Sequence, residues 1–67
     1  MTVARVTEIS SMSEKSFEDA VRQGLARATK TLKNVKSAWI KEQTVELEND
    51  VIKSYRVNMM VTFVLKD

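Results

Sequence analysis

The chain has 67 residues and no cysteine, so its small core must be stabilised without a covalent cross-link. A domain of this size buries only about 60% of the surface that its unfolded chain exposes, and the entropy lost on ordering offsets much of the gain. Domains this small are commonly stabilised by disulfides, by a metal ion or by association with other subunits. Disulfides are excluded, and metal ligands are few because histidine is also absent. The sequence therefore predicts an oligomer.

The same composition excludes several kinds of functional site. Without cysteine and histidine there is no Cys/His zinc site, thiol nucleophile or Ser-His-Asp triad, and the single Gly24 cannot form a glycine-rich phosphate loop. The eleven basic residues are interspersed with nine acidic ones, which argues against a nucleic-acid-binding surface. No apolar run approaches the roughly 18 residues of a membrane span, and the N-terminus lacks the apolar segment of a signal peptide. We therefore expect a non-enzymatic cytoplasmic protein without nucleic-acid or membrane partners.

The first half of the chain is predicted to form a strand followed by a long helix. Residues 3–9 are rich in β-branched side chains, which is typical of a strand. Residues 14–33 carry apolar side chains at three- and four-residue spacing, which predicts a helix with one apolar face, and Ser13 precedes them as an N-cap. Gly24 lies within that face, where it permits close approach either to a sheet or to a ligand or second subunit. We favour packing against a sheet, because the apolar face continues on both sides of Gly24.

The second half is predicted to form a hairpin of two long strands. Residues 35–48 and 51–66 are joined by Asn49 and Asp50, two residue types that tolerate the positive φ angles of a tight loop. In the second of these strands every odd position except Lys53 is apolar or aromatic, so we expect this face to cover the helix. Its members are Val51, Tyr55, Val57, Met59, Val61, Phe63 and Leu65.

The apolar side chains change phase within the first strand of the hairpin. Ala38 and Ile40 share one face by alternation, whereas Val45 and Leu47 share the other. Because side chains alternate with a period of two along a strand, we predict a β-bulge within residues 41–44.

These elements predict a single α+β domain over residues 1–67, with a three-stranded antiparallel sheet packed around one long helix. A helix of about 20 residues is about 30 Å long, enough to return the chain to the start of the sheet. The apolar third strand is expected at the centre, which gives the strand order 1-3-2. The helix covers one face of the sheet only. The other face is predicted to expose an apolar patch that is typical of an interface or a ligand surface. The patch contains Trp39, Ile52, Met60 and Val64.

Three segments in this order resemble the dodecin family. They are residues 13–20 (SEKSFEDA), 26–35 (ARATKTLKNV) and 55–65 (YRVNMMVTFVL), and the resemblance extends over essentially the whole chain. It implies a β-α-β-β subunit that assembles into a hollow shell of twelve copies. It also implies that the shell binds or stores a flavin, FMN or riboflavin, without catalysis. Flavins in this family stack in antiparallel pairs against aromatic residues between subunits.

The chain departs from the family pattern at two positions of the implied flavin site. Flavin-binding dodecins carry a tryptophan where this chain has Ser37; the only tryptophan here is Trp39, on the same strand face and about 6–7 Å further along. They carry a glutamine where this chain has Arg56, whose guanidinium donates hydrogen bonds but cannot accept them. A flavin-free shell is therefore the alternative function.

The candidate ligand-binding residues are Trp39, Arg56, Ser37 and Gln43, each with a second interpretation. Trp39 either stacks on a planar ligand or fills a subunit interface. Arg56 either binds the ligand or forms an intersubunit salt bridge with a glutamate of the preceding strand. Gln43 either lines the same pocket or is a solvated or interfacial amide. The glutamates are either solvated or bind a divalent cation such as calcium or magnesium across a symmetry axis. They are Glu42, Glu46 and Glu48.

Overall fold

The computed structural model describes residues 2–65 and has one helix packed on a three-stranded antiparallel sheet. The strand order β1-β3-β2 agrees with the prediction. Lys66, the end of the predicted third strand, lies outside the described residues. Within residues 2–65, no helix has the length and apolar character needed to cross a membrane. The elements are β1 (Ala4–Ser13), α1 (Phe17–Thr31), β2 (Val35–Glu48) and β3 (Val51–Val64).

The helix begins at Phe17, later than predicted, because Ser16 rather than Ser13 is its N-cap. Ser16 has an extended backbone, and its hydroxyl accepts a hydrogen bond from the Asp19 backbone N–H at 2.9 Å. The Ser13 hydroxyl accepts from the Lys15 backbone N–H and donates to the Asp19 carboxylate at 2.6 Å. Both serines therefore stabilise the start of the helix, but only Ser16 caps it directly.

β1 is longer and α1 is shorter than predicted. β1 continues past residue 9 to Ser13, and its serine-rich end pairs with β3 without any register shift. Pairing with a long neighbouring strand therefore decides where β1 ends, since strand propensity depends strongly on such context. At the other end α1 stops at Thr31, and the Leu32 backbone N–H bonds to the Ala28 carbonyl at 2.8 Å.

The core lies between α1 and the adjacent side of β1 and β3. The side chains of Val57, Met59 and Val61 are fully buried, which confirms the predicted helix-facing positions at the centre of β3. Phe17 and Tyr55 meet edge to face at one end, with ring centroids 5.1 Å apart. The core is completed by Ala20 and by the half-buried Ile9, Val21 and Leu25.

The hairpin extends beyond the helix. A strand of 14 residues is about 46 Å long, whereas a helix of 15 residues is about 22 Å long. Val51 and Lys53 therefore lie past the end of the core and are exposed. The helix covers the predicted face of β3 only in part.

Gly24 allows the helix to approach the sheet closely, as predicted. It is buried, and a Cβ atom at this position would lie 2.5 Å from Met59 Cε and 2.9 Å from Ser11 Cβ. Both distances are below the contact distance of carbon atoms. The missing side chain therefore sets the spacing between α1 and the sheet.

The predicted bulge is confirmed at Lys41. Lys41 is the extra residue of β2, between Ile40, which pairs with Met59, and Glu42, which pairs with Asn58. Beyond the bulge Val45 returns to the helix side of the sheet, which explains the change of phase in the sequence. Two further register shifts, which the sequence does not predict, lie at Lys36 and Lys53.

The hairpin loop is the predicted two-residue turn. Asn49 has a φ of 53° and Asp50 a φ of 64°, as a type I′ loop requires. The sequence does not predict the third positive φ, 62° at Asn34, where the chain turns from α1 into β2.

Candidate ligand-binding face

The sheet face opposite α1 is open, and we call it the outer face. Directly opposed residues of neighbouring strands point to the same side, so the pairing defines which side chains share this face. Met60 lies on the central strand β3. Because its neighbours Met59 and Val61 point into the core, the Met60 side chain points to the outer face. One row across the outer face is Glu8, Met60 and Trp39; the next row is Val6, Thr62 and Ser37.

Trp39 is the most prominent side chain of this face. It is 53% exposed on the same face as Met60, as predicted, and it lies directly opposite Met60. Ser37 is exposed one row further along, on the same face. An exposed indole beside a flexible thioether offers a flat, polarizable surface that suits an aromatic ring.

The rest of the predicted patch is less uniform. Val64 is half-buried at one end of β3, opposite Ala4. The prediction is wrong for Ile52, because the register shift at Lys53 places it opposite Leu47 on the helix side of the sheet, near the hairpin turn, where it is 47% exposed. The apolar part of the outer face is therefore centred on Trp39 and Met60.

Arg56 lies on the outer face but not beside Trp39. It lies four positions before Met60 on β3, which is about 13 Å along the strand. Its Nη2 atom lies 2.9 Å from Glu46 Oε1 and 3.5 Å from the sulfur of Met12. The salt bridge with a glutamate of β2 thus forms within one chain, whereas the sequence suggested a contact between subunits.

Gln43 lies on the side of the sheet opposite to Trp39. It pairs with Val57, whose side chain is buried under the helix. The bulge at Lys41 causes this placement, because unbroken alternation from Trp39 would have kept Gln43 on the outer face. Within one chain the structure does not bring Gln43 and Trp39 together.

Sequence reasoning missed an ion pair in the Trp39 row. The Lys41 side chain reaches across the sheet, and its Nζ atom lies 3.4 Å from Glu8 Oε1. Glu8 is directly opposite Met60, on the far side from Trp39. The predicted bulge interval contains Lys41, but its partner on β1 is 33 residues away in sequence and no local pattern indicates it.

The glutamates of β2 have partners within the chain. The Asn58 amide donates to Glu42 at 3.2 Å, and Lys53 lies 2.8 Å from Glu48. The side-chain carbonyl oxygen of Asn58, Oδ1, is buried and has no hydrogen-bond partner among the described residues. Residues 2–65 contain no group of three or more acidic side chains arranged to hold a metal ion.

One concavity of the described chain does not contain the predicted site residues. It is an open groove of about 710 Å³ between the free edge of β1 and α1. Its polar lining includes Ser10, Gln23 and Arg27. Trp39 lies on the other edge strand, so the outer face and the groove are separate surfaces.

Comparison with known proteins matches this fold to one family. The sequence matches the Dodecin family model over residues 3–66. A point mutant of the dodecin from Thermus thermophilus has 31% sequence identity and a TM-score of 0.94, with 100% of both chains covered. The dodecin from Streptomyces davaonensis has 32% identity and a TM-score of 0.93, with 98% of this chain and 97% of that chain covered.

A third similar structure is a calcium-chelating protein. It is the calcium dodecin from Mycobacterium tuberculosis, with 25% identity, a TM-score of 0.84, and 96% of this chain and 91% of that chain covered. It is described as having a novel calcium-binding site. No curated protein matched the chain.

Proposed function

The chain belongs to the dodecin family, and from this premise we propose that it assembles into a homododecameric shell that binds a planar ligand of the flavin class, FMN or riboflavin, without catalysis. Trp39 carries the proposal, because its indole is 53% exposed on a sheet face that no other element within residues 2–65 covers. An exposed tryptophan in an apolar patch is typical of an interface or ligand surface.

The small core supports self-assembly. Among the described apolar residues, only Ala20, Ala28, Val57, Met59 and Val61 are buried. Large apolar side chains are exposed on the outer face, on the helix side of β2 and at the hairpin end. Such surface is usually covered in a stable protein, and further copies of the chain would cover it. Examples are Val6, Met12, Ile40, Val45, Leu47 and Val51.

The outer face supports stacking of a planar ring. Trp39 provides the aromatic surface, Met60 lies beside it, and Ser37 adds a hydroxyl one row away. Arg56 and Gln43 remain candidates for contacts across a subunit boundary, since neither lies beside Trp39 in one chain. Ring stacking contributes about 0.5–1.5 kcal/mol beyond the burial of apolar area.

A fluorescence titration tests the proposal. Riboflavin and FMN are added to the protein, and the emission of both the flavin and Trp39 is followed. We expect saturable quenching of both emissions. We also expect Trp39→Ala to weaken binding about tenfold, or about 1.4 kcal/mol, and Trp39→Phe to retain part of the affinity. Light scattering on each variant shows whether assembly is intact. Unchanged emission at saturating flavin, or full affinity in an assembled Trp39→Ala protein, would contradict the proposal.

The similarity to a calcium dodecin supports a second candidate function, a flavin-free shell stabilised by a divalent cation. Glu42, Glu46 and Glu48 would then supply oxygen ligands across a symmetry axis, in competition with their partners within the chain. This alternative requires a colourless assembly whose melting temperature falls with a chelator and recovers with calcium. A melting temperature insensitive to both treatments excludes it.

A further inference from the structure

We propose that Lys41 and Glu8 bind the polar edge of the ligand that stacks on Trp39, so that the site prefers a neutral planar heterocycle with an imide or lactam edge. This inference rests on the proposed function, because it needs a planar ligand on the outer face. Neither residue belongs to the site that the sequence predicts.

The row geometry places the ion pair at the correct distance from Trp39. Glu8, Met60 and Trp39 lie directly opposite one another on three neighbouring strands. Two strand spacings separate Glu8 from Trp39, which is about 10 Å. A planar ligand of this length that stacks on Trp39 and lies over Met60 therefore has its far edge at Glu8.

Lys41 reaches the same end of the row because of the bulge. As the extra residue of β2 it has no directly opposed residue on β3, so its side chain extends over the central strand. Its Nζ atom comes to lie 3.4 Å from Glu8 Oε1. The bulge thus brings a cation from one edge strand to an anion on the other.

The pair offers one donor and one acceptor side by side. A lysine ammonium only donates hydrogen bonds, and a glutamate carboxylate only accepts them. A ligand edge with a carbonyl next to an N–H meets both needs, because the carbonyl accepts from Lys41 and the N–H donates to Glu8. The two charges cancel, so a neutral edge fits better than an anionic one.

Both side chains remain available to a ligand. Lys41 is 51% and Glu8 is 43% exposed at the side chain. An exposed ion pair is held only weakly. Each group also has further hydrogen-bonding capacity while the pair stays formed, since lysine has three N–H donors and the carboxylate has two oxygens.

The test compares riboflavin with 3-methylriboflavin, in which a methyl group replaces the ring N–H between two carbonyls. We expect the wild-type protein to bind 3-methylriboflavin about tenfold more weakly than riboflavin. Glu8→Met should weaken riboflavin binding by a similar factor and leave 3-methylriboflavin binding unchanged. Lys41→Met should weaken the binding of both probes, because both keep the carbonyls. The matched control is Glu18→Met, which removes an exposed glutamate of the helix, away from the outer face, and should preserve the preference.

Separate outcomes bear on the two proposals. Equal affinity of the wild type for both probes, or wild-type riboflavin affinity in both the Glu8→Met and Lys41→Met proteins, overturns the inference and leaves stacking on Trp39 standing. Unchanged binding in Trp39→Ala overturns the proposed function, because loss of the indole should weaken both probes alike. Light scattering on every variant separates a binding defect from failed assembly.

Discussion

Gly24 sets the distance between the helix and the sheet. Alanine at this position gains about 1 kcal/mol of helix propensity, but its Cβ would lie 2.5 Å from Met59 Cε and 2.9 Å from Ser11 Cβ. Overpacking of this kind costs about 1–3 kcal/mol, so we expect Gly24→Ala to lower the free energy of unfolding in urea. The control is Thr29→Ala on the exposed face of the same helix, which should leave stability unchanged or raise it. A Gly24→Ala protein more stable than the wild type by about 1 kcal/mol would show that the sheet accommodates the added methyl group without cost.

The ionisation of the Asp19 carboxyl makes the stability of the start of the helix depend on pH. The hydrogen bond from the Ser13 hydroxyl holds the pKa of this carboxyl below its usual range, helped by the Gln23 amide and the charges of Lys15 and Arg22. Because the folded state favours the ionised form, its stabilising contribution is complete above the unfolded pKa, about 3.9, and is lost as pH falls through the lower folded pKa.

We therefore expect Asp19→Asn to lower the melting temperature at neutral pH. The difference from the wild type should shrink as the pH falls below about 4, where the wild type also loses the ionised carboxyl. Melting curves recorded across this range provide the measurement. A difference that stays constant down to about pH 2 would mean that the carboxylate charge has no part in stability.

At the scale of the elements, the bulge at Lys41 decides which side chains of β2 face the helix. Deleting Lys41 removes the extra residue but leaves Glu42 opposite Asn58 and Val45 on the helix side, so we expect the deletion protein to keep its fold. Lys41→Ala keeps the extra residue and removes only an exposed side chain, so its stability should stay within about 0.5 kcal/mol of the wild type. A deletion protein that fails to fold while Lys41→Ala melts like the wild type would mean that the bulge is needed for the twist of the hairpin and not only for the phase of its side chains.

Periodicity predicts the central strand and the bulge well. The core side of β3 and the shared exposed face of Trp39 and Met60 both follow from alternation, because a strand packed under a helix has its two sides in different surroundings. The predicted interval of the bulge, residues 41–44, includes positions before and after Gln43, so it does not determine on which side of the sheet Gln43 lies. A bulge at Thr44 would have kept Gln43 on the Trp39 face, whereas the bulge at Lys41 moves it to the other side.

Two features are not predicted from the sequence: which of two similar serines caps the helix, and which residue on a distant strand pairs with Lys41. Ser13 and Ser16 are equally suitable N-caps, and the position of the Asp19 backbone N–H favours Ser16. The ion pair between Lys41 and Glu8 joins two strands that meet only through β3. Local patterns carry no information about such a contact.

At the scale of the whole molecule, one chain is long and thin, with extents of 51, 19 and 13 Å. The hairpin end presents Leu47, 63% exposed, and Val51, 65% exposed. If subunits cover this end, Leu47→Asp should reduce the number of subunits in the assembly, because the new charge would be buried at an interface. Thr29→Asp on the exposed helix face is the matched control and should leave the subunit number unchanged. Light scattering measures both variants, and an intact assembly of Leu47→Asp would place the hairpin end outside the interfaces.

Native mass spectrometry of the protein mixed with riboflavin tests self-assembly and ligand binding together. We expect a dominant species of twelve chains, each of 7.7 kDa, that carries additional mass from bound riboflavin. The Trp39→Ala protein should give the same twelve-chain species with the added mass reduced or lost. A 7.7 kDa monomer, or a twelve-chain species that takes up no riboflavin, would contradict the proposed flavin-binding shell.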